Sequence, residues 1–259
     1  SGATESDNIA LVGVADAYSA KGNHIIISEI EHKAVIDSAK YLETKGIEVT
    51  VLPVDQFGLI DPTELAKTLK EETILVSIMF ANNEIGTVQQ VREIGAITRT
   101  HKVLFHTDAA QAIGHIPVNV ESMNIDLMSI SGHKIYGPKG VGVLYAKLKN
   151  PRVKPNPIIH GGGHERGMRS GTLNVPSIVG MAKAIEIAID MMDHECSRLY
   201  ELSNYLFEQI SKTIPEVERN GHPEERLPGN LNIWIPGVES RALVLAMNQW
   251  VSFSTGSAC

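Results

Sequence analysis

Four short stretches place reactive side chains where apolar runs end. "LMSISGHK" delivers Ser131, His133 and Lys134, and "VLFHTDAAQ" delivers His106, Asp108 and Gln111. "ILVSIMFANNEIG" leads to Asn82, Asn83 and Glu84, and "HIIISEIEH" to His32. Lys134 runs on into Gly137, Pro138, Gly140 and Gly142, residues that let a backbone turn tightly and approach a neighbour closely. A lysine fixed and desolvated there can lose its proton near neutrality and act as an amine nucleophile. Asp108 follows an apolar run and precedes small residues, so it is expected to be poorly solvated. A carboxylate in that position needs a cationic partner.

A protonated ring nitrogen would serve as that partner, and an imine-forming lysine beside it completes what pyridoxal phosphate requires. The opening "SGATESDN" offers an anion site, made of backbone N–H groups and the Thr4 hydroxyl at a helix N-terminus. His32 is suited to lie over the pyridine ring and pass protons. Taken singly, each residue also has a plainer reading. Lys134 could be a surface lysine on a tight turn, Asp108 an N-cap, His32 a satisfied half-buried histidine and "SGAT" an ordinary helix start. No metal is expected, because the His and Cys spacings match neither a two-histidine helical zinc motif nor a Cys-x-x-Cys ribbon. The glycines of "HGGGHER" also make a poor rigid chelate.

The elements that must position these residues alternate between strand and helix patterns. "HIIISEI", "IEVTVLPV", "TILVSIMFA", "VLFHTDAA", "IDLMSIS" and "VGVLYAK" read as strands. "HKAVIDSAKYLETKG", "DPTELAKTLK" and "VREIGAITRTHK" read as intervening helices, the second opening on Asp61 as N-cap, Pro62 at the first helical position and Glu64 as capping-box partner. Nearly continuous apolar strands separated by helices predict an α/β three-layer domain on a mainly parallel sheet. Residues 1–175 form the large domain on this reading, and 176–259 part of a smaller α+β domain. The latter has a long helix from Pro176 to about Thr213, then "NLNIWIP", "ESRALVLAMNQW" and a strand "VSFST". Both ends of the chain are expected to be cut, leaving the large domain without its N-terminal part and the small domain incomplete.

Composition narrows the function classes. Of 259 residues, 43% are hydrophobic and 20% charged, which supports a substantial core and excludes disorder. A net charge of -7 with scattered lysines and arginines argues against direct nucleic-acid or anionic-membrane binding. The two cysteines, Cys196 and Cys259, suit a reducing compartment and cannot supply the four thiolates of a resident iron–sulfur cluster.

In order along the chain, "SGATES", "EHKAV", "NNEIG", "HTDAAQ", "SGHKIYGPKG", "GGGHERGMRSGT" and "STGSAC" resemble the motifs of cysteine desulfurases of the NifS/IscS type. These are class V aminotransferase-like enzymes of pyridoxal phosphate fold-type I, and the resemblance covers essentially the whole chain. It implies that Lys134 forms the imine with the cofactor and that Asp108 pairs with its ring nitrogen. It further implies that Gln111 bonds the phenolic oxygen, His32 stacks on the ring, and Asn83 helps place substrate and cofactor. Ala3, Thr4, Ser131 and His133 would hold the phosphate. Thr172 would reach the phosphate of a neighbouring subunit, which implies a homodimer with shared sites. Cys259 matches the catalytic cysteine, and the small residues of "STGSA" before it would let the thiol swing. Cys196, within a helical pattern, keeps a structural reading.

The activity so implied is that of a sulfurtransferase. Sulfur is taken from L-cysteine, alanine is released and a persulfide is left on Cys259. The acceptor would be an iron–sulfur scaffold or another sulfur-accepting protein, serving iron–sulfur cluster assembly or thio-cofactor and tRNA thiolation. The cytoplasm is the first expected location and an organellar matrix the second. The family's substrate-carboxylate arginine is expected beyond Cys259. Selenocysteine lyase or another class V enzyme is the nearer alternative, and a truncated non-catalytic partner-binding form the more distant one.

Overall fold

The structure, a computed structural model, describes residues 1–256. Helix α1 (Ala3–Asn8) runs through a π turn at Ile9–Gly13 into α2 (Val14–Ala17). There follow β1 (His24–Ser28), α3 (Lys33–Glu43), β2 (Glu48–Leu52), α4 (Pro62–Thr68), β3 (Thr73–Ser77), α5 (Val91–Thr100), β4 (Leu104–Asp108), β5 (Leu127–Ser131) and β6 (Gly142–Ala146). The six strands form one sheet in the order β2-β1-β3-β4-β5-β6, parallel throughout except for β6, which pairs antiparallel with β5. The expected three-layer, mainly parallel architecture is present.

Strand side chains alternate faces, and each face has its own apolar cluster. On one side Ile25, Ile27, Leu75, Leu104 and Leu127 pack with Ala10, Leu11 and Val14 and with Val35 and Leu42 of α3. On the other, Ile26, Val76, Phe105, Met128 and Ile130 meet Leu65 of α4 and Val91 and Ile94 of α5. All five residues of β1, β3, β4 and β5 are buried, the pattern of strands covered on both faces. Each large apolar side chain so enclosed contributes about 1.5–3 kcal/mol relative to exposure.

Local signals behave mostly as the sequence indicates. Asp61 caps α4, its carboxylate accepting from the Thr63 N–H at 2.7 Å, with Pro62 in the first turn. Glu64 does not close a capping box; it accepts from Lys67 Nζ at 2.6 Å, one turn along the same exposed face. A long helix α6 (Val175–Thr213) leaves the sheet region, with Met181 in the core and Gly180 seated against Pro138. Beyond it lie a two-stranded ribbon, β7 (Glu218–Arg219) with β8 (Ile233–Trp234), and helix α7 (Ser240–Met247). The segment 251–255 is not a strand; no strand among the described residues offers its backbone a ladder partner. No helix of the described residues is long and apolar enough to cross a membrane.

Candidate active site

Because β1, β3, β4 and β5 run the same way, their C-terminal ends share one edge of the sheet, where ligands of such folds collect. A cavity of about 350 Å³ opens there, and Ala3, Thr4, His32, Asn83, Asp108, Gln111, Ser131, His133 and Lys134 all line it. Nine of the eleven residues given a cofactor or catalytic role by the resemblance therefore meet in one place, although they come from five separate segments. Thr172 is exposed and outside this lining, and Cys259 lies outside the described residues. Gly256, three positions earlier, packs against the carboxylate of Glu84, next to Asn83.

Lys134 sits in a single 3-10 turn, Gly132–Ile135, that continues β5 and ends on Tyr136 in the left-handed region. The turn is clamped by Gly132 N–H donating to Val141 C=O at 3.0 Å and Gly137 N–H to Gly132 C=O at 2.9 Å. A Cβ on Gly137 would come within 2.8 Å of that same carbonyl oxygen. The glycines are thus set by backbone crowding around the half-buried lysine. His133 shares a 2.9 Å hydrogen bond between Nδ1 and the Ser131 hydroxyl. Burial first, then the charges of Lys134 and Lys139, lower the His133 pKa and favour a neutral ring.

Asp108 ends β4 and is 5% exposed. One of its oxygens accepts from the Ala110 N–H at 2.9 Å. Burial raises its pKa, while that N–H and the charges of His32 and Lys134 pull it back. His32 caps α3, its Nδ1 accepting from the Ala34 N–H at 3.1 Å, so in the neutral ring the proton sits on Nε2.

Two residues from the sequence list turn out to be structural. His106 is wholly buried within β4, bonded to Ser77 Oγ at 2.8 Å and Ser129 Oγ at 3.0 Å. Asn82 holds the turn after β3 by accepting from the Glu84 and Ile85 N–H groups. Cys196 also plays a packing part: its thiol donates to the His115 carbonyl at 2.8 Å, and burial pushes its pKa up.

Sequence reasoning passed over Asp7 and Glu31. Asp7 is fully buried and Glu31 5% exposed. One oxygen of Asp7, one of Asp108 and one ring nitrogen of His32 all lie within 4.8 Å of one another. A signal for Asp7 existed: with Ala10, Leu11 and Val14 it makes an i, i+3, i+4, i+7 set, which puts a carboxyl on the apolar face of the first helix.

The residues fit pyridoxal phosphate on structural grounds. The first turn of α1 has no capping side chain, and Gly2, Ala3 and Thr4 line the cavity. That leaves uncapped N–H groups for a phosphate. Asp108 supplies a buried carboxylate for a ring nitrogen, and Lys134 lines the same cavity.

The family model for aminotransferase class V matches residues 1–259. The chain is 51% identical, over its whole length, to the cysteine desulfurase IscS of Ehrlichia chaffeensis, and 49% identical to the cysteine desulfurase of Homo sapiens. It covers 63% of the former and 56% of the latter, so it spans roughly three fifths of the curated relatives it matches. Among solved structures, a NifS-like protein superposes with a TM-score of 0.91 at 40% identity, over 96% of this chain and 68% of that one. SspA in complex with cysteine gives 0.82 at 36% identity, over 99% of this chain and 71% of its own.

Proposed function

The chain belongs to the aminotransferase class-V family, and from that premise we propose that the protein is a pyridoxal 5'-phosphate-dependent cysteine desulfurase. Its product would be alanine, with a persulfide left on Cys259. The observation that carries the reading is the convergence of His32, Asp108, Gln111 and Lys134, from three strand ends, on one cavity that also meets the first turn of α1. The relatives named cysteine desulfurase and the neighbour solved with cysteine support the same substrate.

When bound, pyridoxal phosphate supplies a carbonyl carbon for imine formation and a sink for the electrons of a substrate carbon. Its phosphate would be held by the N–H groups and hydroxyl of Ala3 and Thr4 with Ser131 and His133, its ring nitrogen by Asp108 and its phenolic oxygen by Gln111. Lys134 would supply the amine that holds the cofactor's carbonyl carbon and, once released, would move a proton at the substrate carbon. His32, whose Nδ1 is held by the cap it makes, would lie against the ring and keep Nε2 free to relay a proton. Asn83 orients the substrate. The Cys259 thiolate then attacks the cysteine sulfur: the new S–S bond forms, the C–S bond breaks, and its electron pair stays with the substrate carbon, which is protonated as alanine leaves. Gly256 lies beside Glu84, and three extended residues reach about 10 Å, which supports access of the thiol to the cavity mouth.

Thr172 serves the cavity of a second copy on this reading, in a homodimer with reciprocal sites. Apolar side chains beside it support a covering partner: Val175 is 58% and Val179 62% exposed. Residues 1–175 act as the cofactor domain and 176–259 as part of the smaller one. The sulfur passes to an iron–sulfur scaffold or another acceptor protein, most simply in the cytoplasm.

Cys259→Ser in the full-length protein tests the assignment. Persulfide formation and sulfide release from L-cysteine should be lost while the visible absorption of the bound cofactor persists. Undiminished sulfide release by that variant would overturn the role of Cys259.

A further inference from the structure

We propose that Asp7 is a positioning residue of this site: it carries the one proton of a buried two-carboxyl pair, and so leaves Asp108 as the ionised member that meets the cofactor's ring nitrogen. The part concerning the ring nitrogen rests on the proposed function; the location of the proton does not.

The geometry allows few alternatives. Asp7 is fully buried, and neither of its carboxyl oxygens has a donor in good hydrogen-bond geometry; the neutral Ser129 hydroxyl, which bears on it, is already bonded to His106 Nε2. An ionised carboxylate without partners in such a place is too costly to persist. Its nearest potential cation is His106, with Nε2 3.7 Å away. That ring is engaged on both nitrogens by the Ser77 and Ser129 hydroxyls, and burial lowers its pKa to about 3, so it is neutral. The other groups facing Asp7 are the carboxyls of Asp108 at the end of β4 and Glu31 after β1, and the His32 ring, one nitrogen of which lies within 4.8 Å of an oxygen of both aspartates and so does not set them apart. On its own helix Glu5 is tied to Arg169 and offers no positive charge.

Asp108, buried as well, differs in its partners. It accepts a backbone N–H from Ala110, and that N–H, His32 and Lys134 all act to lower its pKa. Two carboxyl groups this close in a dry site cannot both ionise, and the environment of each decides which one keeps the proton. Burial first, then Asp108, push the Asp7 carboxyl well above the usual carboxylate range, against a smaller lowering by the Ser129 hydroxyl. The proton therefore sits on Asp7 at neutral pH. One negative charge, rather than none or two, is left to face the ring nitrogen.

The test uses the full-length protein with carbon-13-labelled aspartate, first without cofactor, read by infrared or carbon NMR at neutral pH. Glutamates, Glu31 included, are silent under this label. One protonated-aspartate signal is expected in the unsubstituted protein and should vanish in Asp7→Asn; Asp7→Ser serves as the neutral variant if the amide does not fold. Absence of the signal in the unsubstituted protein, or its survival in the Asp7 variant, would overturn the proposal. With cofactor bound, raising the pH should shift the visible band at the point where Asp7 ionises. In Asp7→Asn that transition should be absent or displaced by about one pH unit or more. An identical alkaline transition in both proteins would show that Asp7 does not act on the ring. If no protein binds the cofactor at all, the proposed function fails, while the labelled signal still decides where the proton resides.

Discussion

Arg169 of the glycine-rich loop grips Glu5 in the first turn of α1 with two hydrogen bonds, Nε to Oε1 at 2.6 Å and a terminal nitrogen to Oε2 at 3.3 Å. The contact joins the loop that carries Thr172 to the helix start that lines the cavity. It also provides for the loop's charge within the same chain: Arg169 is paired while residues 161–166 stay exposed. Arg169 therefore needs no partner subunit to meet its charge.

Arg169 is the main cause holding the Glu5 carboxyl down to about 2 from an ordinary value of 4.5. A depressed carboxylate stabilises the fold above its unfolded pKa, and that contribution is lost as pH falls through the folded value. Arg169→Ala should therefore cost about 1 kcal/mol or less at pH 7, given the partial exposure of the pair. The difference from the unsubstituted protein should shrink between pH 4.5 and about 2. Urea midpoints across that range check this, and a difference that does not change with pH would remove the ion pair as its source.

Gly142 opens β6 against Gly2. A Cβ there would lie 2.6 Å from Gly2 Cα and 2.6 Å from the Ile130 carbonyl oxygen, both backbone atoms. Gly142→Ala should cost about 1–3 kcal/mol through overpacking, and it should displace the start of α1. Cofactor retention in gel filtration should fall along with the thermal midpoint; a thermal loss with full retention would show that the helix start does not hold the phosphate.

Glu31 accepts from the Ser28 hydroxyl at 2.5 Å and the Met79 N–H at 2.8 Å through one oxygen, and burial raises its pKa to about 8. The unfolded chain releases this proton near 4.5, so between there and 8 the folded state binds more protons and stability declines as pH rises. Glu31→Gln keeps an acceptor but has no proton to lose. Its stability relative to the unsubstituted protein should improve from pH 5 to 8, by at most about 1.4 kcal/mol per unit, and level off above 8. Parallel urea titrations would expose the alternative, a pH-independent offset.

Shared sites make a reciprocal prediction. Neither Lys134→Ala nor Thr172→Ala homodimers should turn over L-cysteine well. In a mixed dimer one site carries both lesions and the other neither, so activity should return on mixing. Subunit exchange demonstrated without any recovery would rule out a Thr172 contribution across the interface.

The strands, the helices on both faces and most of the cavity were legible in the sequence for a physical reason. Parallel strands buried on two faces are mostly apolar, so a cluster of polar residues where such strands stop is conspicuous; His32, Asp108 and Lys134 stand out against that background. Such a pattern marks places along the chain but not depth. His106 and Asn82 occur in the same stretches as the cavity residues, yet one is bonded between two strands and the other holds a turn. Helical spacing alone could have put Asp7 on a buried face, but that it stands within 4.8 Å of Asp108 depends on how α1 crosses the sheet. Likewise, the pairing of Glu5 with Arg169 spans 164 positions, and no local pattern encodes a contact across that distance. Residue types and spacing determined the chemistry this chain can hold; the packing of helix on sheet decided which of its carboxyl groups can be charged.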